Sequence, residues 1–214
     1  MDAAFVPPHP AEVPDLMGDL ERFLHNEAIA VPHLVRAAIA HYQFETIHPF
    51  NDGNGRIGRL LIVLYLISKG LLCKPSLYLS DFFERNRAAY YDALMRVRTA
   101  HDLGHWVRFF LSGVLETAIK GRDSFRRILA LRDEVEAACL TLGKRAPLAR
   151  ATLSLLYRRP VMTGKDLATT LDVAVPTANS LVREFERLGI LTEITGQQRG
   201  RVFVFQRYLD LFLS

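Results

Sequence analysis

Twelve consecutive residues, His48-Pro49-Phe50-Asn51-Asp52-Gly53-Asn54-Gly55-Arg56-Ile57-Gly58-Arg59, hold an imidazole, a carboxylate, a glycine-flanked turn and two guanidinium groups. Gly53 and Gly55 lack a Cβ and reach positive φ cheaply, so their backbone N–H groups can turn toward an anion. The apolar stretch from Arg56 to Lys69, ended by Gly70, predicts a helix whose N-terminus this loop feeds. A helix N-terminus carries unsatisfied donors and the positive end of the macrodipole, and both favour phosphate.

Arg56 and Arg59 are expected in the first turn of that helix, where a cation opposes the dipole unless an anion compensates it. Guanidinium groups clamp phosphate oxygens through paired hydrogen bonds. Asp52 alone would be repelled by phosphate, which makes it a candidate ligand of Mg²⁺, an ion that bridges carboxylates to phosphate oxygens. His48 ends a helix predicted from Pro32 to Ile47. Its imidazole is a candidate general base for an incoming hydroxyl. Taken singly, Asp-Gly-Asn-Gly reads as a tight turn, a His before Pro as a boundary residue and two arginines as a solvated face. Their order on one helix-loop-helix unit is what points to a triphosphate site.

The stretch resembles the signature of the Fic family, His-x-Phe-x-(Asp/Glu)-Gly-Asn-Gly-Arg-x-x-Arg, and matches it at every position. The similarity extends to Phe5-Val-Pro-Pro8, Val13 through Glu21, His41-Tyr-Gln-Phe-Glu45, Pro75 through Ser80, Tyr90-Tyr91 and Trp106 through Leu111. The resemblance implies transfer of AMP from Mg²⁺-bound ATP to a Tyr, Thr or Ser hydroxyl of a target protein, with release of pyrophosphate. It implies His48 as the base and Asp52 as the metal ligand. Nucleotide contacts would come from Gly53, Asn54, Gly55, Arg56, Ile57, Gly58 and Arg59, with Phe50 buried. Adjacent helical residues point about a hundred degrees apart, so only one of Tyr90 and Tyr91 can face the nucleotide, and Tyr91 is the candidate. Gly55 stands where the Doc-like kinases carry Lys, which disfavours phosphorylation. Transfer of another nucleotide or of phosphocholine is compatible with the motif.

Two departures matter. Only four residues precede Phe5, so most of the target-holding flap of related proteins is expected to be missing. The inhibitory pattern (Ser/Thr)-x-x-x-Glu-(Gly/Asn) is approached by Ser112-Gly-Val-Leu-Glu116-Thr117 and Ser180-Leu-Val-Arg-Glu184-Phe185, and both fail at the last position. The expectation is a site open at Arg59, or one inhibited by a missing segment or a partner.

Half of the 214 residues are apolar and 23% are charged, which excludes a disordered chain. The apolar run Leu60 to Ile67 is too short for a bilayer, and a soluble, cytoplasmic enzyme without membrane contact is expected. Cys73 and Cys139 lack metal-ligand spacing and read as buried, reduced thiols. Helical periodicity predicts segments near 12–26, 32–47, 56–69, 80–100, 104–119 and 122–142. The expected fold is mainly α: a Fic-type helical domain at 1–143, then a small winged helix-turn-helix at 144–214 made of α-helices and a β-hairpin.

In that second part, a helix is expected at 148–158, a capping box at Thr163 and Asp166 opens another, and Pro176 opens a third running to Leu188. Two-residue periodicity at 190–194 and 201–205 predicts the hairpin. Residues 144–214 hold eleven Lys/Arg against six Asp/Glu, so the basicity is local. Thr177, Asn179, Ser180 and Arg183 are expected on or near the exposed face of the third helix. Arg183, with Arg199 and Arg201 on the wing, are candidate DNA contacts, although the same fold also serves for docking. The competing function is a DNA-binding regulator whose first domain senses nucleotide. A pure sensor needs no proton acceptor, and His48 argues against it. An oligomer is compatible with either reading.

Overall fold

The computed structural model describes residues 5–213, which divide into two compact units between Gly121 and Arg122. In the first, α1 (Val13–His25), α2 (His33–Ile47), α3 (Asn54–Ser68), α4 (Leu79–Arg85) and α5 (Arg87–Ala100) precede the start of α6 (Leu103–Leu140). Small residues on α2, Ala37 and Ala38, let α3, α5 and α6 approach, and Ile62, Leu66, Phe83, Trp106 and Phe110 fill the core behind them. Trp106 is fully buried and its indole N–H donates to the Ala38 carbonyl at 2.8 Å. This satisfies the one polar atom of a ring that burial would otherwise penalise.

Two helix expectations are corrected. The 80–100 segment is broken at Asn86, whose φ of −110° and ψ of 31° leave the helical region. Its side-chain amide donates to the Phe82 carbonyl at 2.9 Å, a local bond that competes with the helical ladder. Conversely, the 104–119 and 122–142 segments are one helix. Gly121 costs a helix about 1 kcal/mol, which the packing on either side of it outweighs. Cys73 is exposed rather than buried, while Cys139 is buried.

The second unit contains the end of α6, α7 (Ala146–Leu156), β1 (Val161–Thr163), α8 (Gly164–Leu171), α9 (Val175–Arg187), β2 (Thr192–Glu193), β3 (Val202–Val204) and α10 (Gln206–Leu213). Leu131, Val135 and Cys139 of α6 bury into the same core as Leu153, Leu167, Leu181, Phe185 and Phe205. The division therefore falls inside α6, ahead of the Gly143-Lys144 junction that composition suggests. The Thr163 hydroxyl accepts from the Asp166 N–H at 3.1 Å and the Asp166 carboxylate accepts from the Thr163 N–H at 2.9 Å, so the capping box forms.

The expected hairpin pairs Thr192 with Val204 and Glu193 with Phe203. It gains a third strand: β1 pairs antiparallel with β3, Val161 opposite Val204 and Thr163 opposite Val202, in the order β1-β3-β2. Among these elements, α7, α8, α9 and this sheet make the unit winged-helix-like. No described helix is long and apolar enough to cross a membrane.

Candidate active site

α2 ends at His48, which takes a left-handed conformation (φ 52°, ψ 56°) while its N–H still donates to the Phe44 carbonyl at 2.9 Å. The same device ends α5 at His101 and α8 at Asp172. The turn throws the chain out of the helix and leaves the His48 side chain exposed at the loop.

The loop is fastened by Asn54. This residue is 2% exposed, its Oδ1 accepts from the Phe50 N–H at 3.0 Å and its amide donates to the Phe50 carbonyl at 2.5 Å. One side chain thereby fixes both backbone groups of the residue four positions earlier, and the Asn54 amide is spent on the loop itself. Phe50 is not buried as the resemblance implies. It is 47% exposed, with its ring 6.4 Å from that of Phe44, because the Asn54 clamp holds its backbone at the loop surface.

Gly53 has φ +85°, a value natural for glycine, and its N–H donates to Asp52 Oδ1 at 2.6 Å. α3 starts at Asn54, and its first helical bond runs from the Ile57 N–H to the Gly53 carbonyl at 3.0 Å. No side chain caps this end, so the N–H groups of Asn54, Gly55 and Arg56 point out of the helix with the dipole behind them. Asp52 is 91% exposed and Arg56 75% exposed, and they pair at 3.1 Å. With the helix beginning at Asn54, Arg59 lies in the second turn rather than the first.

Arg59 is half-buried and folds back over Gly55, where an added Cβ would lie 3.1 Å from its Nη1. Ile57 is exposed, whereas Gly58 faces α2 and is buried. A Cβ on Gly58 would lie 2.5 Å from Glu45 Oε1 and 3.1 Å from the His41 ring. The glycines of the loop thus make room for side chains as well as for backbone.

Behind the loop sits a polar cluster absent from the motif. His41 is fully buried, stacked on Phe83 and Trp106 at 5.6 and 5.9 Å, and its Nε2 lies 3.0 Å from the Tyr90 hydroxyl. Burial, aided by the charge of Arg59, lowers its pKa to about 4, so the ring is neutral. Glu45 follows one turn later with its side chain 11% exposed, and burial raises its pKa against the opposing pull of His48, Arg59 and Arg98. Tyr90 is buried, while Tyr91 is 53% exposed under the Arg87 guanidinium at 5.9 Å. Sequence reasoning gave no site role to Glu45, His41 and Arg98, and it set Tyr90 aside in favour of Tyr91. The signal for the first two was available, since His41 and Glu45 are four apart on the helix that delivers His48.

In the second unit, the α8 N-terminus, α9 and the wing line a cleft of about 620 Å³ that includes Lys165, Asn179, Arg183, Arg199 and Arg201. Thr177, Asn179 and Arg183 are exposed, and Ser180 is half-buried and accepts from Arg145 at 3.0 Å. Arg201 stands 3.9 Å from both Glu186 and Glu193. Arg183 and Arg199 form no ion pair within 4.0 Å among the described residues.

Residues 2–66 match the Fic/DOC family. Over those residues the chain is similar to Fic/DOC proteins. It is 40% identical over 92 residues to a probable protein adenylyltransferase of Aquifex aeolicus, a match covering 43% of this chain and 26% of that protein. It is 39% identical over 105 residues to the protein adenylyltransferase Fic of Culex quinquefasciatus (49% and 20% covered), and 37% over 106 residues to the corresponding Caenorhabditis elegans protein (49% and 20%). The match thus spans about a quarter or less of the length of these curated relatives. A solved Fic family protein from Desulfovibrio desulfuricans G20 aligns with 93% of this chain and 56% of its own, at 25% identity and a TM-score of 0.48. His48, Asp52, the uncapped α3 N-terminus and both arginines lie within the matched residues.

Proposed function

We propose that this chain is a protein adenylyltransferase that moves AMP from ATP to a side-chain hydroxyl of a target protein. The observation that carries the reading is one clamped loop joining two helix ends: His48, exposed at the end of α2, and the uncapped N-terminus of α3. The names of the relatives and the complete Fic signature support it.

In this reading, His48 accepts the proton of the target hydroxyl as its oxygen attacks the α-phosphorus. The bond to the β-phosphate oxygen breaks and pyrophosphate departs. The N–H groups of Asn54, Gly55 and Arg56 hold the phosphate oxygens, and Gly53 provides the turn that aims them. Arg56 binds phosphate after releasing Asp52, and Arg59 orients the γ-phosphate. Ile57 and Gly58 serve through the helix backbone rather than their side chains, and Tyr91 flanks the nucleotide from α5. Asp52, an almost fully exposed carboxylate at the mouth of the phosphate cradle, suits a largely hydrated Mg²⁺. When bound, that ion supplies neutralisation of the triphosphate charge. ATP as co-substrate agrees with a cytoplasmic place of action.

The test is incubation with Mg²⁺ and ATP labelled on the α-phosphate, with and without cell lysate, for the native chain and His48→Ala. Label on protein that requires His48 is the expected result. Equal labelling by the variant would remove His48 from the role, and absence of label with ATP bound would favour the sensor reading.

Arg183 and Arg199, exposed and unpaired beside a cleft on α9 and the wing, favour a second activity for residues 144–214: contact with duplex DNA through its phosphates. Arg201, shared between two carboxylates, contributes less. Binding of a generic duplex should weaken steeply with salt, and more so for the native chain than for Arg183→Ala/Arg199→Ala. A salt-independent affinity would contradict the account.

A further inference from the structure

Glu45 has no part in the Fic signature, yet its carboxylate lies within the electrostatic reach of Arg59, the second motif arginine. An ideal Cβ on Gly55 would sit 3.1 Å from Arg59 Nη1 and 4.0 Å from Glu45 Oε1, so the two groups converge on one point of the loop. Neither is satisfied there: Glu45 Oε1 and Arg59 Nε are both buried without a hydrogen-bond partner, and so is Nε of Arg98. Gly58 leaves the space that the carboxylate fills. Leaving charged atoms unpaired inside a fold is costly, and the arrangement persists only if the charges offset one another at a distance.

The groups around the carboxylate are few and come from three helices. On α2 and its end are His41, 3.9 Å away and neutral, and His48. α3 brings Arg59, and α5 brings Tyr90 and Arg98, the latter also 3.4 Å from the Thr46 hydroxyl and 3.5 Å over the Phe5 ring. Two permanent cations therefore face one buried carboxylate.

We propose that Glu45 is the resident counter-anion of Arg59 and Arg98, and that a triphosphate reaching Arg59 replaces it, so that nucleotide binding draws one proton from solvent onto Glu45. This rests on the transferase reading, because it needs a γ-phosphate at Arg59. The direction follows from Coulomb's law: burial already disfavours the charged carboxylate, and Arg59 helps keep it ionised. Once phosphate neutralises Arg59, that support is gone and a second anion stands nearby. The bound state then holds a proton that the free state lacks, and affinity falls as pH rises through the interval between the two ionisations. Glu45 thereby sets how tightly the site holds ATP, without touching it.

The experiment is titration calorimetry of the full chain with Mg²⁺ and a non-hydrolysable ATP analogue, and separately with AMP, between pH 5.5 and 8 in two buffers of different ionisation enthalpy. Glu45→Gln is the reference, since it keeps the volume and removes the charge. The ionisation of the nucleotide's own phosphate is common to both proteins and cancels in the comparison. The native chain should take up as much as one proton more than Glu45→Gln on binding the triphosphate, and no more than Glu45→Gln on binding AMP. Glu45→Gln should bind the triphosphate several-fold tighter at pH 8. Equal proton uptake by the two proteins, or weaker triphosphate binding by Glu45→Gln, would overturn the proposal. If Glu45→Gln does not fold by circular dichroism, Glu45→Ala replaces it as the uncharged reference, and the same difference in proton uptake decides the proposal. Failure of the native chain to bind the triphosphate at all would instead overturn the transferase reading beneath it.

Discussion

The two units treat their polar groups in opposite ways. In the second unit, carboxylates are consumed by the fold: Asp166 closes the capping box, Glu193 accepts from the Thr195 and Gly196 N–H groups in the wing, and Glu134 pairs with Arg207 at 2.6 Å. Its free cations stand outside, on α9 and the wing. In the first unit four of the five described side chains with a buried, unpartnered polar atom, His41, Glu45, Arg59 and Arg98, gather around one loop, Arg36 being the fifth, whereas the second unit has Tyr157 alone. A buried polar group that the fold leaves unpaired lowers stability and is retained where something else completes it. The contrast separates a region shaped for transient charge inside from one that presents fixed charge outside.

The sharpest way to break this contrast is at its chemical centre. His48→Ala should lower transfer of labelled AMP by about 10²–10⁴-fold, the range for loss of a general base, with ATP affinity largely retained. Affinity lost in step with transfer would make His48 a binding residue and the loop a passive pocket.

Acid should separate the units next. His41 is neutral in the fold with a pKa lowered to about 4, whereas an unfolded histidine titrates near 6.5. The unfolded chain binds the proton first, so this contribution to stability is intact above pH 6.5 and is lost as pH falls toward 4, on the order of 3 kcal/mol in all. The lowered carboxylates of the second unit, Asp166 and Glu193, act only at lower pH. Trp106 is the single tryptophan and lies in the first unit, so its fluorescence should report unfolding at a higher pH than the ring proton resonances of Tyr157 and Tyr208. Coincident transitions would show that the buried imidazole does not govern the first unit.

Gly58→Ala tests the space behind the loop. Overpacking against Glu45 and His41 should destabilise by about 1–3 kcal/mol, against a gain of about 1 kcal/mol in helix propensity. Adding Glu45→Ala should recover part of the loss, a coupling readable in a denaturant double-mutant cycle. Additive effects would place the clash elsewhere. The smallest expected effect belongs to the other region: Thr163→Ala removes a cap worth about 1 kcal/mol and should shift the transition read from the Tyr157 and Tyr208 ring resonances without moving that of Trp106. A change in the Trp106 transition would join the two regions thermodynamically.

The legible features were those written within a dozen residues. The His48 helix end, the Gly53 turn, the α3 start, the Gly70 stop, the Thr163 box and the wing all depend on residues adjacent in the chain, because capping, left-handed turns and amphipathic periods are local interactions. The break at Asn86 is also local, but an asparagine inside a helical period carries no unique signal until its amide chooses the backbone.

What tertiary structure decided involves partners far apart in sequence. β1 is three residues long and acquires its identity only by pairing with β3. The charge state of Glu45 depends on Arg59 and Arg98 from two other helices, and that of His41 on aromatic rings of α4 and α6. Sequence alone determined which chemistry the loop can offer, since functional groups and backbone permissiveness are properties of residue types. Packing alone determined which of those groups are buried, paired or left waiting, because desolvation and Coulomb interactions depend on distances that only the folded chain sets.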